Sequence, residues 1–249
     1  MRVLTVIAHQ NPNSFCHAVM RRFTEGLESA GHGVDVLDLH AIGFDPVFRQ
    51  RDLAYWIHED MPAEILERMN PRQRVLDGAG GPVRRFLAAR ALRGKDDREI
   101  ATFIRERGPK DIAEHWERVE RAEGLAFIAP VFWLGYPAMM KGWFERVFNY
   151  GNAFALDREG WEGKVSGRIG LMRHEKALIM TPTLFGEEDY DAEWREPMTR
   201  IVDDWGLRYP GVKQVEHVYF YRAAIADPET LEGYLAKAYE LGASFSPKS

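Results

Sequence analysis

Short apolar runs alternating with amphipathic stretches constrain this chain more than any other feature. The first run holds Val3, Leu4, Val6, Ile7 and Ala8. It is too compact for a helix and rich in β-branched residues, the signature of a strand buried on both faces. A polar loop over residues 9–14 leads into residues 15–30, where Phe15, Val19, Phe23 and Leu27 recur at helical spacing. Gly31 and Gly33 end that stretch, and residues 34–39 supply a second strand, completing one βαβ unit. The pattern resumes with a helix over 112–122, an apolar run over 125–129 and a helix over 138–148. Residues 177–180 and 215–221 read as further strands, with helices around 192–205 and 228–241. Strands alternating with helices and carrying no hairpin signal predict an α/β fold. The expected architecture is a doubly wound, five-stranded parallel sheet in the order 2-1-3-4-5, with any ligand at the carboxyl ends of the strands.

Residues 60–110 interrupt the alternation and favour helix, broken at Pro71, around Gly78–Pro82 and at Gly94. The expectation is a helical insertion in a single domain spanning 1–249. Twelve Lys/Arg against eight Asp/Glu make the segment basic within a chain whose formal net charge is -5. It reads either as a solvated surface or dimer arm, or as a lid whose Arg84 and Arg85 attract an anionic cofactor. The acidic balance argues against a general nucleic-acid binder. One cysteine, Cys16, excludes a disulfide framework and any multi-cysteine metal site, so no metal is expected. No apolar run reaches the ~18 residues of a membrane span. The N-terminus reads as a first strand rather than a signal peptide, which predicts a cytoplasmic setting.

The loop after the first strand has neither GxGxxG nor GxxxxGK followed by Ser or Thr, so dinucleotide-fingerprint and Walker phosphate sites are absent. Asn13 and Ser14 still open a helix, where free N–H groups attract an anion; a plain N-cap has the same residues. The loop after the third strand, within APVFWLGYPAMMKGWFERVF, holds Phe132, Trp133 and Tyr136 with Gly135 and Pro137. Large aromatics on a strand-end loop suit a flat ligand. The loop over 181–186 brings more hydrogen-bonding groups to the same edge.

SFCHAV after AH, and above all PVFWLGYPAMMKGWFERVF, resemble the quinone-reductase branch of the flavodoxin-like superfamily. Relatives there are the mammalian-type NAD(P)H:quinone oxidoreductases, the bacterial modulators of drug activity and the potassium-efflux ancillary reductases. The resemblance covers residues 1–50 and roughly 112–205. It implies a flavodoxin-like fold and a flavin, FAD with FMN as the alternative, fed by NAD(P)H. His9, Asn13, Ser14, Phe15 and Cys16 would hold the phosphate and ribityl end. Pro130, Val131, Phe132, Trp133, Leu134 and Gly135 would wrap the isoalloxazine, and Thr181, Thr183 and Gly186 would line its pyrimidine side. NYGNAFAL matches the stretch that crosses a homodimer in this family, placing Phe154 and Leu156 over the partner's flavin.

Three departures stand out. Leu156 lies where the mammalian enzymes carry a tyrosine. TPT replaces the glycine-rich run often found after the fourth strand. Tyr190 sits about where a catalytic tyrosine is expected, but no histidine follows before His217, so Arg195 is the candidate for positive charge there. The implied activity is two-electron transfer from NAD(P)H through flavin to a quinone or similar small acceptor, by a ping-pong cycle. The alternatives are an azo, nitroaromatic or pathway-specific reductase, or a flavin-binding regulatory subunit of a membrane transporter.

Overall fold

The computed structural model describes residues 1–247. Its seven described strands are β1 (Arg2–Ile7), β2 (Gly33–Asp38), β3 (Gly124–Ile128), β4 (Phe154–Leu156), β5 (Arg168–Gly170), β6 (Lys176–Pro182) and β7 (Gln214–Phe220). Helices are α1 (Phe15–Ser29), α2 (Gln50–Tyr55), α3 (Ala63–Met69), α4 (Pro71–Gly78), α5 (Pro82–Ala91) and α6 (Asp97–Glu106). They continue with α7 (Lys110–Arg121), α8 (Ala138–Val147), α9 (Arg158–Trp161), α10 (Glu187–Glu193), α11 (Arg195–Met198) and α12 (Pro228–Ala243). The chain forms two compact units. One comprises Met1–Pro46, Arg118–Trp143 and the chain from Met172 onward; the other comprises Val47–Glu117 and Phe144–Leu171.

The first unit is built on a five-stranded sheet in the order β2-β1-β3-β6-β7, parallel throughout. Counting only its own strands, that is the expected 2-1-3-4-5. All of β3 and β6, and β1 from Val3 to Ile7, are buried, which is why these strands read as continuous apolar runs. Across one face α1 meets α12 through glycines. A Cβ on Gly26 would lie 2.1 Å from the Tyr239 carbonyl oxygen, and one on Gly242 2.1 Å from that of Phe23. On the motif helix α8, Met140 and Trp143 are fully buried, with the Trp143 ring 6.2 Å from Phe127.

The helix expected over 192–205 is broken. The chain forms α10, then α11, then a π-helical stretch, Thr199–Arg208. Pro197 has no N–H and is accommodated in the first turn of α11, not in a helix interior.

The second unit carries α2–α6, α9 and the antiparallel β4–β5 ribbon. Its core gathers Ile57, Met61, Leu66, Ala101 and Tyr150. Phe154 and Leu156 pack against that core from β4. The buried Arg146 guanidinium lies 3.0 Å from both Asp52 and Asp111.

Candidate functional site

At the carboxyl edge of the parallel sheet, three loops are stitched together by their main chains. The Ala8 amide donates to Ile128 (3.1 Å), Ala129 to Met180 (3.4 Å) and Val131 to Pro182 (3.4 Å). The Thr183 amide donates to Phe220 at 2.9 Å, tying the third loop to β7. Parallel register thus brings the predicted residues of the first, second and third loops to one edge.

The first loop is folded by its own side chains. The Asn11 amide donates to His9 Nδ1 (3.1 Å) and the Asn13 amide to Asn11 Oδ1 (2.9 Å). Ser14 caps α1, accepting from the His17 amide. The Ala18 amide takes the Ser14 carbonyl, so the amides of Phe15 and Cys16 are the first-turn donors left for a ligand. Burial holds the His9 imidazole below its ordinary range despite the Asn11 amide, so at neutral pH the ring is uncharged. Burial pushes the Cys16 thiol up to about 12, so it packs as a small apolar group and not as a thiolate.

The second loop is strained and open. Phe132 and Gly135 exchange main-chain hydrogen bonds (2.9 and 3.3 Å) across Trp133 and Leu134. Both central residues are left-handed, with φ of 45° and 67°. That is the sign pattern of a type I′ turn, ordinarily made by Asn and Gly. A non-glycine residue held there costs on the order of 1–3 kcal/mol. Trp133 is 96% exposed, so the strain gains no burial within the chain. A Cβ on Gly135 would meet no atom within 4 Å, so the turn faces open space. Phe132, Leu134, Leu184 and Phe185 are also exposed at this edge, and the Phe132 ring lies 6.3 Å from His9.

The third loop is held from below. Thr183 Oγ1 donates to the Phe185 carbonyl at 2.9 Å, and the Ala223 amide donates to Thr183 at 2.9 Å. Arg222, itself left-handed at φ 53°, donates its amide to Phe185 and its guanidinium to Glu188 beside Gly186.

Two carboxylate–imidazole pairs escaped the sequence reading. His17 Nε2 lies 2.9 Å from Asp38 Oδ2, and its Nδ1 lies 3.0 Å from Ser14 Oγ. His217 Nδ1 lies 2.9 Å from Asp203 Oδ1, and its Nε2 lies 2.9 Å from Thr181 Oγ1. Each relay ends on a hydroxyl of a predicted site residue. With the ring neutral, the carboxylate takes its one N–H, so the hydroxyl must donate to the other nitrogen. The remaining hydroxyl lone pairs can then only accept. A protonated ring reverses this and frees the hydroxyl hydrogen. Burial would raise the Asp38 carboxyl, but hydrogen bonds from His17 and the Ala41 and His40 amides outweigh it and hold it below its ordinary value.

Tyr136, in the second loop, is half-buried with its hydroxyl out of solvent, and that burial holds the phenol well above the ordinary range, with Asp203 and Tyr219 adding to the effect. Tyr190 is buried among Tyr219 and Tyr221, its ring 5.2 and 6.1 Å from theirs, and burial pushes its phenol to about 12. Arg195 donates to Asp191 at 2.6 Å, and Asp191 also accepts from Tyr221, so its charge is directed into a surface network.

A parallel sheet of this order, with its loops gathered at the carboxyl edge, defines a doubly wound α/β protein. The chain belongs to the family described as Flavodoxin-like fold, which matches residues 1–241. It is similar to NAD(P)H dehydrogenase (quinone) 1 of Cavia porcellus, 31% identical over 153 residues, 61% of this chain and 45% of that protein. The protein of the same name in Rattus norvegicus is 29% identical over 271 aligned positions, 95% of this chain and 86% of the relative. The chain thus spans less than half of the first relative and most of the second. The solved NAD(P)H:quinone oxidoreductase from Methanothermobacter marburgensis superposes with a TM-score of 0.68 at 27% identity, covering 99% of each chain. Among the described residues no helix is long and apolar enough to cross a membrane.

Proposed function

We propose that this chain is a flavin-dependent NAD(P)H oxidoreductase acting on a quinone or a similar small two-electron acceptor. The observation that carries the reading is the turn at Trp133–Leu134, strained, exposed and open at Gly135, beside the free first-turn amides of α1. The residues fit a flavin: one loop offers amide donors to an anion, another an apolar platform, and the third fixed hydroxyl and carbonyl groups. Bound flavin supplies the redox chemistry, taking two electrons from NAD(P)H and passing them to the acceptor.

His9, Asn13, Ser14, Phe15 and Cys16 hold the phosphate and ribityl end. Pro130, Val131, Phe132, Trp133, Leu134 and Gly135 wrap the ring, and Thr181, Thr183 and Gly186 line its pyrimidine side. Tyr190 keeps its proton at neutral pH and is the donor assigned to the electron-accepting edge. FAD is favoured over FMN by the resemblance of Ser14–Phe15–Cys16 to the FAD-binding group. NAD(P)H and acceptor use the same face in turn, which gives parallel double-reciprocal lines. The working form is a cytoplasmic homodimer in which Phe154 and Leu156 cover the partner's flavin. The apolar side chains exposed around the turn support such a cover.

Equilibrium binding of FAD and FMN to the wild type and to Gly135→Leu tests the site. Wild-type protein retains a flavin, FAD more tightly than FMN, and the variant loses at least tenfold in affinity. A wild type that stays colourless with excess of either flavin overturns the reading. Assaying the NADPH-reduced protein against quinone, azo and nitroaromatic acceptors then assigns the acceptor class.

A further inference from the structure

The second unit contains a cavity of about 340 Å³, within the size range of small-molecule sites and independent of the flavin reading. Its floor is apolar: Tyr55, Ala54, Ala88, Phe103 and other carbon surface. Four arginines stand around it, Arg51, Arg74, Arg84 and Arg107, and no acidic residue lines it. Several arginines of this unit have carboxylate partners, Arg146 with Asp52, Arg105 with Glu59, Arg85 with Asp77 and Arg158 with Glu162. These four do not: among the described residues none has a carboxylate within ion-pair distance.

Two of the four are oriented by built contacts. The Arg107 guanidinium sits 4.3 Å from the centroid of the Phe103 ring, and Arg74 Nε donates to the Met69 carbonyl at 3.3 Å. The second contact leaves the terminal nitrogens of Arg74 available. The backbone beneath is closely packed. A Cβ on Gly108 would lie 2.2 Å from the Tyr55 ring, and one on Gly78 would lie 3.3 Å from the Arg51 main chain. Like charges gathered around an apolar hollow repel unless a counter-charge joins them. Guanidinium groups match carboxylate and phosphate oxygens through paired N–H donors, and their stems lie readily along apolar surface.

We propose that this cavity binds an amphipathic organic anion, a carboxylate or phosphate monoester whose apolar body lies on the Tyr55–Phe103 floor while its head group meets the arginines. Calorimetric titration of the full chain with octanoate, octyl phosphate, octanol and inorganic phosphate separates the contributions. The proposal expects one octanoate or octyl phosphate per chain, at least tenfold tighter than octanol or phosphate alone. The tighter of the two anions identifies the head group. Arg51→Gln combined with Arg107→Gln, both exposed positions, should weaken the anion at least tenfold and leave octanol and flavin binding unchanged. Ala88→Trp, which fills the hollow, should remove anion and alcohol alike. Octanol binding as tightly as octanoate, no binding of either anion, or a double variant that binds octanoate like the wild type and unfolds at the same temperature overturns it.

Discussion

Ser14 and Thr181 gain their chemical direction from residues far away in sequence. Each hydroxyl is paired with a histidine whose other nitrogen faces a carboxylate. Replacing His217 by Gln keeps the polarity but loses the fixed ring. The expected result is a flavin dissociation constant about tenfold higher, about 1.4 kcal/mol, while Thr181→Ser stays within twofold of wild type. Equal affinities for wild type and His217→Gln would confine that relay to folding. Asp38 gives a pH test. Its carboxyl is held below its unfolded value, so its contribution to stability is complete above that value. The contribution fades as pH falls through the lower folded one, below about 4. Asp38→Asn should therefore flatten the acid limb of thermal stability and lose most stability near neutrality. Tyr190→Phe, with flavin still bound, should slow reduction by NADPH about tenfold in stopped flow, again about 1.4 kcal/mol. Ser14 and Gly135 were legible because each lies inside a contiguous motif. The pairings of His17 and His217 were not, because their partners Asp38 and Asp203 are chosen by strand register and by the π-helical stretch.

Elements explain where strain is kept and where packing is least forgiving. The turn at Trp133–Leu134 holds two non-glycine residues at positive φ, one of them almost fully exposed. Asn tolerates that backbone, so Trp133→Asn should raise the unfolding midpoint by roughly 2–4 °C, for about 1 kcal/mol of relieved strain, while weakening flavin retention. Unchanged stability would place the cost elsewhere. The α1–α12 crossing behaves oppositely. Gly242→Ala drives a Cβ into the Phe23 carbonyl and should cost about 1–3 kcal/mol with no direct effect on the ligand loops. The periodicity of α1 and of the buried strands was enough to find them in the sequence. The stretch after β6 was not, because Pro197 splits a continuous amphipathic pattern into helices whose ends only tertiary packing decides. The β4–β5 ribbon, three residues a side, is too short to carry a periodic signal.

For the whole molecule, the alternation of strands and helices was sufficient to predict a parallel sheet with its functional edge at the strand ends. Residues 60–110 gave only composition, and α3 and α6 there pack on a separate core that no local pattern announces. Sedimentation of the flavin-loaded protein at micromolar concentration should show a dimer, and Leu156→Asp should weaken it. A fully active monomer would remove the shared cover from the account. The central claim is that the three loops hold a flavin which NAD(P)H reduces. Anaerobic titration of the reconstituted protein with NADPH tests it most directly, following the visible flavin absorption and then adding a quinone. The account predicts bleaching complete at one NADPH per bound flavin and full recovery of the colour with one equivalent of quinone. A bound flavin that excess NADPH and NADH leave oxidised would contradict it.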